Sequence, residues 1–337
     1  MQQKRAPRPL PLFLELVRMV SRDDPQLAGK ALEGLTKYEQ APRLLKRDPR
    51  RAVATAGAVT LRDYGGSGPP LVLVPSLINP PSILDLDEHV SLADALSRMG
   101  RGVLLVDWGE AARRPSLSVS NHVEESLTTL IGELGEPPAL LGYCLGGTMA
   151  IAAANLVAVE RVVTLAAPWR FGDYPLEARE PLQRLWESAK PSAQQLHVLP
   201  MEVLQSAFWS LDPRRTVTKF ARFAELPPDG EEAQRFVALE DWANEGEPLP
   251  YPAARELMED LFANDLPGCN QWRVTGKVMS DRLTCPLLNI TASNDRITPA
   301  ATAPEGRAVQ IDSGHVGMIV GSARAKLHEA LADFLGK

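Results

Sequence analysis

Cys144 stands in the stretch LLGYCLGGTMA, two residues after Gly142 and two before Gly146, with an apolar run on one side and an Ala-rich one on the other. A buried structural cysteine needs no such frame, whereas a nucleophile exposed on a tight strand-to-helix turn does. On that turn the nucleophile takes a strained backbone conformation, and small neighbours let the helix pack against the strand. Gly142 and Gly146 supply that room. The same turn aims the Leu145 N–H at a substrate carbonyl oxygen. The helix N-terminus favours a thiolate, because its unpaired N–H groups carry partial positive charge. A small cysteine in a glycine-rich packing corner is the bland alternative, and the strand-turn-helix context argues against it.

A thiol nucleophile needs a base, and the base needs a partner to orient it. The chain has five histidines. His89, His122, His197 and His328 fall in a loop or helix start, a helix, the middle of the chain and the last helix, where surface or structural roles are expected. His315 differs: it sits in IDSGHVGM, after a strand-like run and before the last helix. Asp295 follows the run CPLLNITA in the loop SNDRITP and is the expected acid. Asp312 competes with it but lies too near His315 in sequence. The order Cys144, Asp295, His315 is that of a nucleophile elbow followed by acid and histidine. Each falls at the C-terminal end of an expected strand, where α/β sites form. A second oxyanion donor is expected from VPSLINPP, as the N–H of Leu77 or Ile78. Pro75 has no N–H, and Ser76 is the weaker choice.

These residues need a scaffold. AVTLRDYG from Ala58 alternates like a strand, LVLVP and GVLLVDW read as buried strands, and PALLGY and RVVTLAAP follow with helical stretches between them. Such alternation predicts an α/β fold with a mostly parallel central sheet flanked by helices. Residues 170–282 break the pattern with helical spacing, and CPLLNITA, GRAVQID and a helix over Ala323–Leu335 restore it. The expected organisation is a basic N-terminal helical arm over 1–57, a core over 58–169 and 283–337, and an inserted helical cap over 170–282.

The chain has 337 residues, 45% hydrophobic and 23% charged, with a formal net charge of −6. That balance gives no reason to expect nucleic acid as a partner. Cys144, Cys269 and Cys285 form neither an even set nor a metal-type cluster, which suits a reduced, cytoplasmic compartment. No metal spacing or dinucleotide fingerprint stands out, so no metal or cofactor is expected. PLPLFLELVRMV near the N-terminus is too short and too charged for a membrane span or signal peptide. It reads as an amphipathic helix with Leu12, Leu16 and Met19 on one face, in a segment that carries twelve Lys/Arg against six Asp/Glu over 1–51. A solvated arm, or a docking segment for a partner or lipid-like surface, would have that composition.

Several stretches together resemble the polyhydroxyalkanoate synthase family, the Cys-dependent branch of the α/β-hydrolase superfamily. GYCLGGT is similar to its lipase-like box with cysteine for serine, and VPSLINPPSILDL and VLLVDWGE are similar to its early strand ends. CPLLNITASNDRITP and SGHVGMIVG are similar to its acid and histidine segments. The chain departs from the family at Arg296, where histidine is frequent, and at Pro80, Pro81 and Ser82. The resemblance implies an α/β-hydrolase fold and an acyltransferase that polymerises 3-hydroxyacyl-CoA to polyester. Cys144 would carry the acyl group, with His315 as base and Asp295 behind it, and CoA would be a released co-product rather than a cofactor. It further implies a second, non-catalytic subunit, dimerisation through the cap, and a place in the cytoplasm at the surface of polyester granules. Two other readings stand beside it: a Cys-dependent hydrolase or thioesterase that admits water, and a non-catalytic granule-associated or binding protein.

Overall fold

The computed structural model describes residues 6–43 and 47–336. Residues 1–5 and 44–46 of the expected arm, and Lys337, lie outside the described residues. Contacts group the chain into two compact units, one from 1–47 with 200–246 and one from 48–199 with 247–337.

The larger unit is built on an eight-stranded sheet. In chain order its strands are β1 (Ala52–Ala56), β2 (Val59–Asp63), β3 (Pro70–Val74), β4 (Gly102–Asp107), β5 (Ala139–Tyr143) and β6 (Val162–Leu165). Two-residue ribbons follow, β7 (Val198–Leu199) with β8 (Leu249–Pro250), and β9 (Arg273–Val274) with β10 (Lys277–Val278). β11 (Leu287–Ala292) and β12 (Arg307–Ile311) complete the sheet, in the order β1-β2-β4-β3-β5-β6-β11-β12. The pairs β1–β2 and β2–β4 are antiparallel and the other five are parallel. This is the mostly parallel sheet expected from the run of strands and helices. Sheet pairing begins earlier than Ala58, because Gly57, at a positive φ of 61°, turns β1 back onto β2.

Composition explains which strands lie centrally. β5 is buried along its whole length, and Leu71–Val74 of β3 are fully buried. Runs apolar on both faces are stable only where helices cover both sides of a sheet. The helix Leu92–Arg98 begins with Ser91 accepting the Asp94 N–H at 3.0 Å and ends at Gly100, whose φ is 90°. Beyond β6, the helix Leu176–Leu196 carries Trp186, which donates to Glu259 at 3.0 Å and stacks on Tyr251.

In the smaller unit the helix Leu10–Val20 buries Phe13, Leu16, Val17 and Val20. Met19, expected on the buried face, is 49% exposed. Spacing of three, four and seven from Phe13 collects one aromatic and three aliphatic side chains, and that stripe turns inward. It packs with Tyr38, Trp209, Phe220 and Phe223 in one apolar cluster. Gly34 lets the helix Pro25–Gln40 approach Phe220, since a Cβ there would overlap the Phe220 carbonyl. Among the described residues no helix is long and apolar enough to cross a membrane.

Candidate active site

Cys144 occupies the junction between β5 and the helix Leu145–Leu156, with φ of 54° and ψ of −130°. A side chain at positive φ costs energy that the surrounding packing must hold. Here the glycines make that packing possible. A Cβ on Gly142 would fall 2.5 Å from the Gly146 carbonyl oxygen, and one on Gly146 would fall 2.6 Å from the Pro75 oxygen. The helix therefore starts directly against the chain that leaves β3. Trp108, at the end of β4, fixes the same carbonyl by donating its indole N–H to Pro75 O at 3.1 Å.

That contact sets the loop Ser76–Ile78 beside the elbow. Of the two donors expected there, the Ile78 N–H is directed at Ser76 Oγ, 3.3 Å away. Leu77, 2% exposed, is the other. Leu145 holds the first position of its helix, where an N–H has no acceptor within the helix.

Asp295 and His315 come from the loops after β11 and β12, both parallel members of the sheet on the β6 side of β5. His315 Nδ1 lies 2.7 Å from Asp295 Oδ2, and both residues are buried. The other carboxylate oxygen accepts the N–H groups of Ile297 at 2.8 Å and Thr298 at 2.9 Å. Cys144 lies close enough to the imidazole for its charge to act on it. Thus three residues separated by up to 171 positions in sequence meet at one end of the sheet. Asp312, the competing acid, accepts from Ser293 and Asn294 instead, at 3.0 Å each.

Burial alone would discharge His315. The negative charges of Asp295 and Cys144, with their hydrogen bonds, overcome it and raise its pKa to about 10. Burial likewise opposes the Asp295 charge, but His315 and the Thr298 donors hold its pKa below the ordinary value. Two buried tyrosines border the site. The Tyr143 ring lies 5.0 Å from the imidazole and its hydroxyl donates to His315 O at 3.4 Å. Tyr174 is hydrogen-bonded to Thr302, and burial followed by the nearby Cys144 and Asp295 charges pushes its phenol up.

Sequence reasoning passed over Thr298 and Tyr143. Tyr143 is the last residue of β5, immediately before Cys144. Thr298 follows Asp295 by three residues and precedes Pro299, a turn pattern in which side chain and backbone face the same carboxylate. Cys269 is exposed and Cys285 half-buried, with burial raising the Cys285 pKa.

The model of the alpha/beta hydrolase family matches residues 71–329, which span β3 to the last helix. The chain is 27% identical over 288 residues to a poly(3-hydroxyalkanoate) polymerase subunit PhaC of Haloferax mediterranei, covering 80% of this chain and 58% of that protein. It is 25% identical over 297 residues to the subunit of the same name from Allochromatium vinosum, covering 80% of this chain and 81% of that one. The chain thus spans less than two thirds of the Haloferax protein. Among solved structures, an epoxide hydrolase of the alpha/beta hydrolases superfamily, from metagenomes of hot environments, superposes with a TM-score of 0.52. That pair shares 17% identity over 86% of this chain and 99% of the other, a likeness of fold.

Proposed function

Since this chain belongs to the alpha/beta hydrolase family, and its relatives named above are polyester polymerase subunits, we propose that it is an acyltransferase that polymerises 3-hydroxyacyl-CoA through a thioester on Cys144. The observation that carries this reading is the cysteine itself, held at positive φ on the elbow at the end of the sheet where His315 pairs with Asp295.

The chemistry follows from where the protons sit. With its pKa at about 10, His315 holds a proton at neutral pH, facing Cys144. The Cys144 sulfur attacks the acyl-CoA carbonyl, and the developing oxyanion meets the N–H groups of Leu145 and Leu77. Each such donor is worth on the order of a hundredfold in rate. The S–C bond to CoA breaks, and His315 delivers its proton to the departing thiolate. His315 is now neutral and takes the proton from the hydroxyl of a second hydroxyacyl unit. That oxygen attacks the Cys144 thioester, forms the ester bond and regenerates the thiolate, with the proton back on His315. Thioester exchange between two sulfurs is close to balanced, so the acyl group stays activated for the second step. Asp295 holds the imidazole and stabilises its charge without taking up the proton. The relatives' names support the reading of a polymerase subunit, and a second non-catalytic subunit, a homodimer and a granule surface are parts of the same proposal.

The test is CoA release from 3-hydroxybutyryl-CoA by the protein and by Cys144→Ala, followed by solvent extraction for polyester. Release that depends on Cys144, with extractable polymer, is expected. Cys144-dependent release with only free hydroxyacid would replace the polymerase by a thioesterase. Release unchanged in Cys144→Ala would overturn the reading.

A further inference from the structure

Thr298 is 3% exposed, and both of its polar groups face one carboxylate. Its N–H donates to Asp295 Oδ1 at 2.9 Å and its hydroxyl donates to Oδ2 at 2.7 Å. The hydroxyl oxygen also lies 3.0 Å from His315 Nδ1. We propose that Thr298 is a positioning residue of the site: its hydroxyl, seated between Asp295 and His315, locks the imidazole with the Nδ1 hydrogen toward the carboxylate and Nε2 toward Cys144.

An ionised carboxylate only accepts, so the single hydroxyl proton of Thr298 belongs to Asp295 Oδ2. What the hydroxyl then presents to Nδ1 is a lone pair. Nδ1 faces two acceptors, Oδ2 at 2.7 Å and Oγ1 at 3.0 Å, and neither can offer it a hydrogen. It must carry the hydrogen itself, shared between them. With Asp295 alone the ring could pivot about one hydrogen bond, whereas two acceptors at an angle fix its plane. The backbone of Thr298 is held in turn, since the residue before a proline is restricted to extended conformations and Pro299 follows. A valine would keep the shape and the β-branch while removing the oxygen. A serine would keep the oxygen and remove only the methyl group.

The inference rests on Cys144 being the nucleophile of the proposed function, and its test requires no substrate. The full chain is treated with iodoacetamide at pH 7, and alkylation of each cysteine is followed by mass spectrometry of its peptide. Thr298→Val is expected to slow alkylation of Cys144 about tenfold, because the imidazole no longer holds the sulfur in its reactive pairing. Thr298→Ser should stay within about twofold of the parent. Cys269, which is exposed and remote in role, should react at an unchanged rate in all three and serves as the internal standard. A Thr298→Val protein that alkylates Cys144 at the parental rate would overturn the proposal, and so would a Thr298→Ser protein slowed as much as the valine variant. If Thr298→Val lacks a cooperative thermal transition, Thr298→Ala is read by the same criteria. Because the readout is alkylation, a failure here is separable from a failure to release CoA.

Discussion

His122 and His315 are both buried in the larger unit, yet one is neutral and the other charged. His122 lies in the helical stretch after β4, directs Nδ1 at Ser118 O at 2.6 Å and has Arg114 Nη1 2.7 Å from Nε2. A carbonyl only accepts and a guanidinium only donates, so Nδ1 bears the hydrogen and Nε2 is the acceptor. Burial first, and the Arg114 charge second, lower its pKa to about 3, and it stays neutral. At His315 burial also works against charge, but the Asp295 and Cys144 charges raise its pKa to about 10. Burial opposes charge in both places, and the partner decides which side of neutrality each ring falls on. Packing differs as well: Trp108 and His122 meet nearly at right angles with centroids 5.6 Å apart, whereas Tyr143 lies tilted against His315 at 5.0 Å. In the proposed reaction only His315 carries a proton.

Asp295→Asn would break the comparison most severely. It removes the main anion that charges His315, leaving burial poorly opposed, and the imidazole should titrate at or below its ordinary value near 6.5. Histidine side-chain NMR reads this directly, with His122 as the unmoved reference. CoA release at pH 7 should fall on the order of ten-thousandfold, as expected when a histidine loses the carboxylate that orients it. A parental titration of His315 in this variant would contradict the assignment.

His122→Phe tests the other half. It leaves Arg114, itself buried, without the ring acceptor, and the expected cost is about 1–3 kcal/mol in urea unfolding. CoA release measured below the unfolding range should remain within about twofold of the parent. A loss comparable to Asp295→Asn would mean that His122 takes part in the chemistry.

Stability against pH offers the finest contrast, because the two rings give opposite slopes. The raised pKa of His315 makes its contribution fully present below about 6.5 and lost as pH climbs through about 10. The lowered pKa of His122 acts the other way: the unfolded chain binds its proton below about 6.5 while the folded one does not until about 3, so stability falls as pH drops through that window. Removing His122 should flatten the acid side of the curve and leave the alkaline side, and His315→Gln should do the reverse.

The placing of Cys144, Asp295 and His315 at one end of the sheet was legible because each sits where a strand ends, and strand ends are visible in a sequence as apolar runs meeting glycine or polar residues. Gly142 and Gly146 were legible for the same local reason. The sheet followed from the alternation of strands and helices, except that β1 begins before the apolar pattern does, since an edge strand with Ala52–Ala56 mostly exposed carries little signal. Thr298 was not legible, because its role depends on a second loop folding back onto the first. Nor was the pairing of His122 with Arg114, where an ordinary helix histidine gains its meaning from a neighbour eight residues earlier. The N-terminal helices read as a solvated arm or a docking segment. Their buried stripe meets Trp209 and Phe220, partners about two hundred positions away that no local window connects.

The decisive measurement is the site of acylation after rapid mixing with 3-hydroxybutyryl-CoA and acid quench, read by peptide mass spectrometry. The acyl group should be found on Cys144, at up to one equivalent, and should be absent in Cys144→Ala. CoA release with the acyl group on Cys269 or Cys285, or turnover with no acyl group on Cys144 at any quench time, would contradict it.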